Sequence, residues 1–419
     1  MIRNTSVLIF LTAVLGLTAA GQNQKTTTLP LWKPGYLDIY HIHTGRGNST
    51  FFILPDGTTA LLDAGDLDTA RFEQKNHPLK VTMAYPDGAR RSGQHIADFI
   101  RRVLPAAREP IIDYAVISHF HGDHYGQLTP ESPRSAKGAY RLTGITDVAE
   151  YIPIRHLMDR GLDYPVDLDA YYAADSTFMN YRRFVASAQA NGMEYGALIP
   201  GRENQIALNR GNSSSARVSI RNLKAGSTIW STQGDTSREL FPGMSILNEK
   251  GRFNENPLSI ALKVTYGKFD YYTGADNTGA TGEGIPIWND VETPLSAIVG
   301  PVDAMVLNHH GNRDANNETF LRRLSPRVMV EQLWCSDQPG QELVHRINND
   351  ALFNGERDVF ALDMHAETKV YMGPWLDRHY RSTKGHVLIR IAPGGEQYEV
   401  FVLEGKNLEI KMNVSYVSR

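Results

Sequence analysis

Short apolar runs separated by turn residues open the chain. Residues 37–43, 49–54 and 58–63 read as consecutive strands, and Gly45-Arg46-Gly47-Asn48 and Pro55-Asp56-Gly57 between them are hairpin punctuation. At 92–104 the pattern changes: Ile96, Phe99, Ile100 and Val103 recur at helical spacing, and Pro105 ends the helix. Residues 111–118 then form an apolar run with the length and β-branched content of a buried strand.

From 129 to 247 the pattern is weaker, with an aromatic-rich stretch at 164–181, a helix running through Asn191 and a polar stretch at 210–215. This region is read as an insertion around the entrance to a site. Regular pattern returns with strands at 258–266 and 269–273, joined by Gly267-Lys268. A strand at 304–307, a helix at 318–324 and a strand at 327–333 follow, and 386–391 and 398–403 form a closing hairpin through Pro393-Gly394-Gly395. Strands, a helix and strands again fit two sheets between helices, a four-layer αββα sandwich of the α+β class. The expected domain spans 36–403, with a tail at 404–419.

The first residues follow another logic. Met1-Ile2-Arg3-Asn4, an apolar run from Val7 to Ala20 and then Gly21 have the layout of a cleavable secretory signal over 1–21. The run is shorter than the ~20 residues of a spanning helix. No later stretch is long and apolar enough to span a membrane, so the expectation is a periplasmic or secreted protein with no membrane span after cleavage. The chain has 419 residues and a formal charge of -3, which argues against a nucleic-acid-coating surface or a polybasic anchor. Its one cysteine, Cys335, cannot form an intramolecular disulfide, so metal ligation falls to His and carboxylates. The oligomeric state is not legible.

The densest chemistry is Ser118-His119-Phe120-His121-Gly122-Asp123-His124, directly after the buried strand. Three imidazoles and a carboxylate make a nitrogen and oxygen donor set suited to Zn²⁺ or a similar divalent ion. In extended backbone His119 and His121 point the same way, and Gly122 lets the loop turn to bring Asp123 and His124 towards a second ion. Asp63 closes a strand in Asp63-Ala64-Gly65, and its residues alone fit a turn-forming Asp and a support for a ligand histidine equally well. Asp276, in Gly274-Ala275-Asp276, lies just past a strand, whereas the alternative Asp270 lies within it. His309-His310-Gly311 follows another strand; adjacent side chains in extended backbone diverge, so one of the pair is expected to bind metal and the other to face substrate.

These residues resemble the metallo-β-lactamase superfamily, whose hallmark is His-X-His-X-Asp-His at a strand end. More narrowly the chain resembles the branch related to the periplasmic domain of DNA-uptake competence proteins. The matching landmarks run in order: Gly45 to Thr50, Asp63-Ala64-Gly65, the histidine motif, Asn256-Pro257-Leu258-Ser259, Gly274-Ala275-Asp276 and His309-His310-Gly311. The resemblance covers about 36–403 and implies a metallo-β-lactamase-like sandwich.

It also implies roles. His119, His121 and one of His309 or His310, with His310 favoured because it precedes the Gly, would hold one ion. Asp123, His124 and Asp276 would hold the other, with Asp276 bridging and Asp63 behind a ligand histidine. Two divalent ions, Zn²⁺ or alternatively Mn²⁺, about 3.5 to 4 Å apart would activate a bridging water for attack on phosphorus or a carbonyl. Asp123 would also orient the nucleophile. Two departures stand out: Ala275 interrupts the usual Gly-Asp, and Asn254-Glu255-Asn256-Pro257 stands where many members carry a turn histidine. A water or substrate oxygen would fill that position. His156 reads as a strand histidine.

His365, past another strand, is a candidate acid or oxyanion partner, and Arg313 a candidate anion contact if the loop after Gly311 borders the site. Neither a phosphate-binding Gly-rich loop nor a Gly-X-Ser-X-Gly elbow occurs, so serine or cysteine nucleophilic catalysis has no candidate. The branch suggests a phosphodiester, small or oligonucleotide-like; an acyl hydrolase of lactone or β-lactam type, or a metal-binding relative without turnover, is the alternative.

Overall fold

The computed structural model describes residues 28–419 except 107, 165–166, 212–216, 250–253, 283 and 354, so the expected signal lies outside the described residues. The first six strands are β1 Leu37–His41, β2 Thr50–Ile53, β3 Thr59–Leu62, β4 Ile112–Val116, β5 Ile154–Asp159 and β6 Glu194–Ala197. The next nine are β7 Val218–Ala225, β8 Thr228–Trp230, β9 Ser237–Glu239, β10 Ala261–Tyr266, β11 Phe269–Thr273, β12 Ala304–Val306, β13 Val328–Glu331, β14 Asp358–Ala361 and β15 Tyr380–Ser382. The chain then returns with β16 His386–Ile391, β17 Gln397–Glu404 and β18 Glu409–Val417.

Two sheets result, in the orders β18-β17-β16-β1-β2-β3-β4-β5-β6 and β15-β14-β13-β12-β11-β10-β7-β8-β9. Alternation along the strands decides which face meets what. Leu37, Ile39 and Phe52 of the first sheet pack with Leu262, Val264 and Tyr271 of the second, which forms the layer between the sheets. On the outer face of the first sheet, Tyr40, Phe51 and Leu61 meet Ile96, Phe99 and Ile100 of the helix Ser92–Val103, with Phe178 and Phe184 of the helix Ser176–Ala190. Met305 and Met329 cover the second sheet's outer face together with Leu295, Phe320 and Leu343 from the helices Glu292–Val299, Glu318–Leu324 and Gln341–Ile347. The fold is the αββα sandwich that the strand order predicts.

Each sheet is half antiparallel and half parallel. β3, β4, β5 and β6 run parallel, as do β11 to β15. Parallel strands deliver their following loops to one end of a sheet, where open α/β sheets place their ligands. The loops after β3, β4, β11 and β12 carry Asp63, the histidine motif, Asp276 and the His309-His310 pair.

Two further stretches hold strands of the sheets. The stretch 129–247, read as insertion material, supplies β5 and β6 to one sheet and β7 to β9 to the other, and β7 pairs with β10 from Val218 to Lys224. The tail 404–419 contains an edge strand, β18, which pairs with β17 almost to the terminus. β18 escaped the pattern because this edge strand is half-exposed and carries polar residues, as in Glu409 to Val417.

Candidate metal centre

Asp63 leaves β3 with a left-handed backbone (φ 61°), so its carboxylate turns towards the neighbouring loop after β4. There Oδ1 accepts the Ser118 backbone N–H at 2.8 Å, and Oδ2 accepts the Ser118 hydroxyl at 2.7 Å and the His124 Nδ1–H at 2.7 Å. The one-turn helix Gly122–Tyr125 carries Asp123 and His124. It is held from outside by close backbone approach: a Cβ at Gly47 or Gly65 would stand 2.1 or 2.0 Å from the Asp123 carbonyl oxygen. The landmarks Gly45 to Thr50 and Asp63-Ala64-Gly65 thus pack directly on the motif, and Asn48 N–H donates to that same carbonyl at 2.8 Å.

Asp276 is aimed by the Gly274-Ala275 turn, in which Ala275 is left-handed (φ 45°) and Ser259 Oγ accepts the Asp276 N–H at 3.2 Å. The inserted Ala275 is therefore part of the turn. Asp270 stays in β11, bonded to Thr265 and paired with Lys263, and takes no part.

The donors fall into two groups that share Asp276. Asp123, His124, Asp276 and His310 each offer an atom within 4.8 Å of the others, and so do His119, His121 and Asp276. His310 therefore stands with Asp123 and His124, not with His119 and His121 as expected. The reason is local: His309 (φ 48°) and His310 (φ 52°) are both left-handed, so the side-to-side alternation of extended backbone does not apply. Both rings face Asp276, with Nε2 3.9 Å and 3.5 Å from its Oδ2.

The groups fit divalent cations. His124 Nε2 and Asp276 Oδ1 are buried 3.1 Å apart, yet neither makes a hydrogen bond. Without a cation, burial would keep these imidazoles neutral, but Asp276, Asp123 and Asp63 outweigh it and hold His124 well above its usual range. Against the same burial, Asp276 and Asp123 push His310 up to about 10. Burial would raise the Asp276 pKa, but His124, His310 and His309 hold it well below the usual carboxylate range. Buried carboxylates that draw this much positive charge, ringed by imidazole nitrogens, make a donor set for borderline divalent ions.

Residues to which the sequence reading gave no role complete the surroundings. Trp334, beyond β13, donates its indole N–H to Asp123 Oδ2 at 2.9 Å, and Gln332 accepts the His310 Nδ1–H on its carbonyl at 2.9 Å. Arg160, at the end of β5, grips Glu255 through Nε and Nη2 at 2.6 and 2.9 Å, and Glu255 also accepts the Phe120 N–H between the two motif histidines. A polar residue directly after an apolar strand was the available clue for Gln332; the Arg160–Glu255 pairing across the sheets had none.

A cleft of about 450 Å³ opens over the donors, walled by Phe72, Leu79, Phe120 and Trp334, with Arg71, Asp175 and Asp337 also lining it. A larger cleft of about 650 Å³ beside His156 touches none of them, so donor chemistry rather than volume identifies the site. Two of the expected site residues are not among those lining the cleft. His365 caps the helix Ala366–Met372, its ring accepting the Glu367 N–H, and is not among the residues lining the cleft. Arg313 is exposed and is not among the residues lining the cleft, whose guanidinium is that of Arg71. His156 sits in β5 against Tyr114 and Glu194, as a strand histidine.

No family model matches the chain, and no curated protein does. Among solved structures it is similar to Zn²⁺-bound PqqB from Methylobacterium extorquens, at 10% identity over 81% of this chain and 86% of that one, TM-score 0.37. It is also similar to the short form of human tRNase Z, at 12% identity over 70% and 91%, TM-score 0.31. A protein of unknown function from Enterococcus faecalis matches at 10% identity over 83% and 69%, TM-score 0.30.

Proposed function

We propose that the chain is a divalent-metal-dependent hydrolase of the metallo-β-lactamase superfamily that acts on a small phosphodiester. The observation that carries this reading is the sharing of the buried Asp276 carboxylate by two donor groups. Bound there, a pair of divalent ions would lower the pKa of a water and clamp the oxygens of the electrophile. The chain's own residues do the rest: Asp123, which lines the cleft, orients the attacking water, and Trp334 holds Asp123 in place. The apolar wall of Phe72, Leu79, Phe120 and Trp334 takes the substrate's organic part and excludes water from it. Asp175 and Asp337 beside the single Arg71 disfavour a long polyanion, which supports a small substrate over nucleic acid.

A second reading, an acyl hydrolase of lactone or β-lactam type, gains from the same surplus of carboxylates in the lining. Export, to the periplasm or beyond, rests on the sequence of 1–21 alone. Among the described residues no helix is long and apolar enough to cross a membrane. The test is turnover by Zn²⁺- or Mn²⁺-loaded protein on a chromogenic phosphodiester, nitrocefin and a lactone. Phosphodiester cleavage is expected. Turnover of the acyl substrates alone would replace the first reading with the second, and bound metal with no turnover on any of them would overturn both.

A further inference from the structure

β7 and β10 run side by side until Lys224 meets Ala261, where the register shifts. Beyond that point residues 256–260 leave the ladder, and their buried backbone groups need other partners. Lys224 supplies them. Its fully buried side chain donates to the carbonyls of Pro257 and Ser259, each at 2.7 Å, and to that of Gly226, in the turn between β7 and β8, at 3.0 Å. Burial, and then Arg160, lower the pKa of this lysine. Three carbonyl acceptors nevertheless match the three N–H bonds of the ammonium, whereas the neutral amine would leave one of them without a donor.

The segment that Lys224 holds touches the loops that carry the metal donors. The Ile260 N–H donates to the Ser118 carbonyl at 3.1 Å, directly before His119. Ser259 Oγ accepts the Asp276 N–H at 3.2 Å, and the Ile260 carbonyl accepts the Asn277 side-chain amide at 3.0 Å. Asn256, at the start of the segment, has its Nδ2 3.1 Å from His309 Nε2. No residue of the segment belongs to either donor group, so what it contributes is the spacing between loops of the two sheets.

We propose that Lys224 is a positioning residue of the metal centre: by fixing residues 257–259 it sets the distance between the histidine motif, which leaves one sheet, and Asp276, which leaves the other. The proposal rests on the two-ion reading above and extends it to a residue outside both donor groups. Coordination needs that distance kept closely, since bonds of about 2.0 to 2.2 Å leave an ion little tolerance for donors that move apart. His119 Nε2 lies 3.7 Å and His124 Nε2 3.1 Å from the Asp276 carboxylate, across the gap that the segment bridges. A side chain that only filled the core would need neither a polar head nor three bonds, because a buried polar group costs free energy that an apolar one does not.

The experiment measures Zn²⁺ affinity by chelator competition, the visible absorption of the Co²⁺-loaded protein and denaturant unfolding of the metal-free protein, in wild type, Lys224→Met, Lys224→Gln and Ile100→Ala. Methionine keeps an unbranched stem and removes all three N–H bonds, whereas glutamine retains an amide with two. Ile100 lies in the core on the outer face of the first sheet, so its loss of volume lowers stability without acting on residues 257–259. Lys224→Met is expected to bind Zn²⁺ about 10-fold or more weakly, with altered Co²⁺ bands. Lys224→Gln should fall between it and wild type, and Ile100→Ala should keep wild-type affinity and bands at reduced stability. Wild-type affinity and bands in folded Lys224→Met, or an equal loss of affinity in Ile100→Ala, would overturn the proposal and leave the two-ion reading standing. If the methionine variant does not fold, the glutamine variant decides on the same terms. A wild type that binds no divalent ion would overturn the two-ion reading and the proposal with it.

Discussion

The Asp63 carboxylate receives the Nδ1–H of His124 at 2.7 Å while its other oxygen caps the Ser118 N–H at the exit of β4. One side chain thus fixes the strand end and the direction in which His124 presents Nε2. Asp63→Asn should separate these tasks. Asparagine tolerates the left-handed backbone and keeps one acceptor for Ser118 N–H, so the fold survives. It cannot accept from both Ser118 Oγ and His124, and metal affinity should fall about 10 to 100-fold. Titration with a competing chelator checks this; unchanged affinity would show that Asp63 is a turn residue alone.

Arg160 and Glu255 are both buried and bound to each other through two hydrogen bonds, with the Phe120 N–H as a third contact of the carboxylate. Arg160→Met strands a buried charge and should cost about 3 to 5 kcal/mol in denaturant unfolding, whereas Arg160→Met with Glu255→Leu should recover much of the loss. A single variant as stable as the wild type would mean that the pair does not anchor the motif.

The motif was legible because its chemistry is local: three histidines and an aspartate in one loop after an apolar strand need no tertiary information. Asp63, Asp276 and the histidine pair were legible for a similar reason, since each directly follows a recognisable strand. The division of donors was not, because it depends on the left-handed backbone of His309 and His310, which an extended reading places on opposite sides. His365 and Arg313 are not among the residues lining the cleft, since nearness along the chain says little about nearness in space. The sheets were legible where their strands are apolar throughout and were lost at exposed edges such as β9 and β18, whose residues are largely polar.

Burial pushes the Glu331 carboxyl up to about 8; its Oε1 accepts the Tyr380 hydroxyl at 2.9 Å and its Oε2 has no partner. The folded state therefore keeps a proton that the unfolded chain releases near pH 4.5. Its contribution to stability is fully present below that pH and is lost as pH rises towards 8. Glu331→Gln, neutral throughout, should match wild type near pH 5 and exceed it near pH 8. Denaturant midpoints in chelator, which removes metal from the comparison, provide the check. Parallel pH profiles for the two proteins would contradict it.

The central claim is that one carboxylate, Asp276, joins two ion positions. The most direct test is metal per chain in wild type and in Asp276→Ala after equilibration with excess Zn²⁺ and removal of unbound ion, with near-ultraviolet circular dichroism confirming the fold of each. The account predicts about two equivalents in wild type. In the folded variant it predicts near-complete loss, because each donor group loses its shared oxygen ligand at once. Two equivalents retained in Asp276→Ala would contradict it.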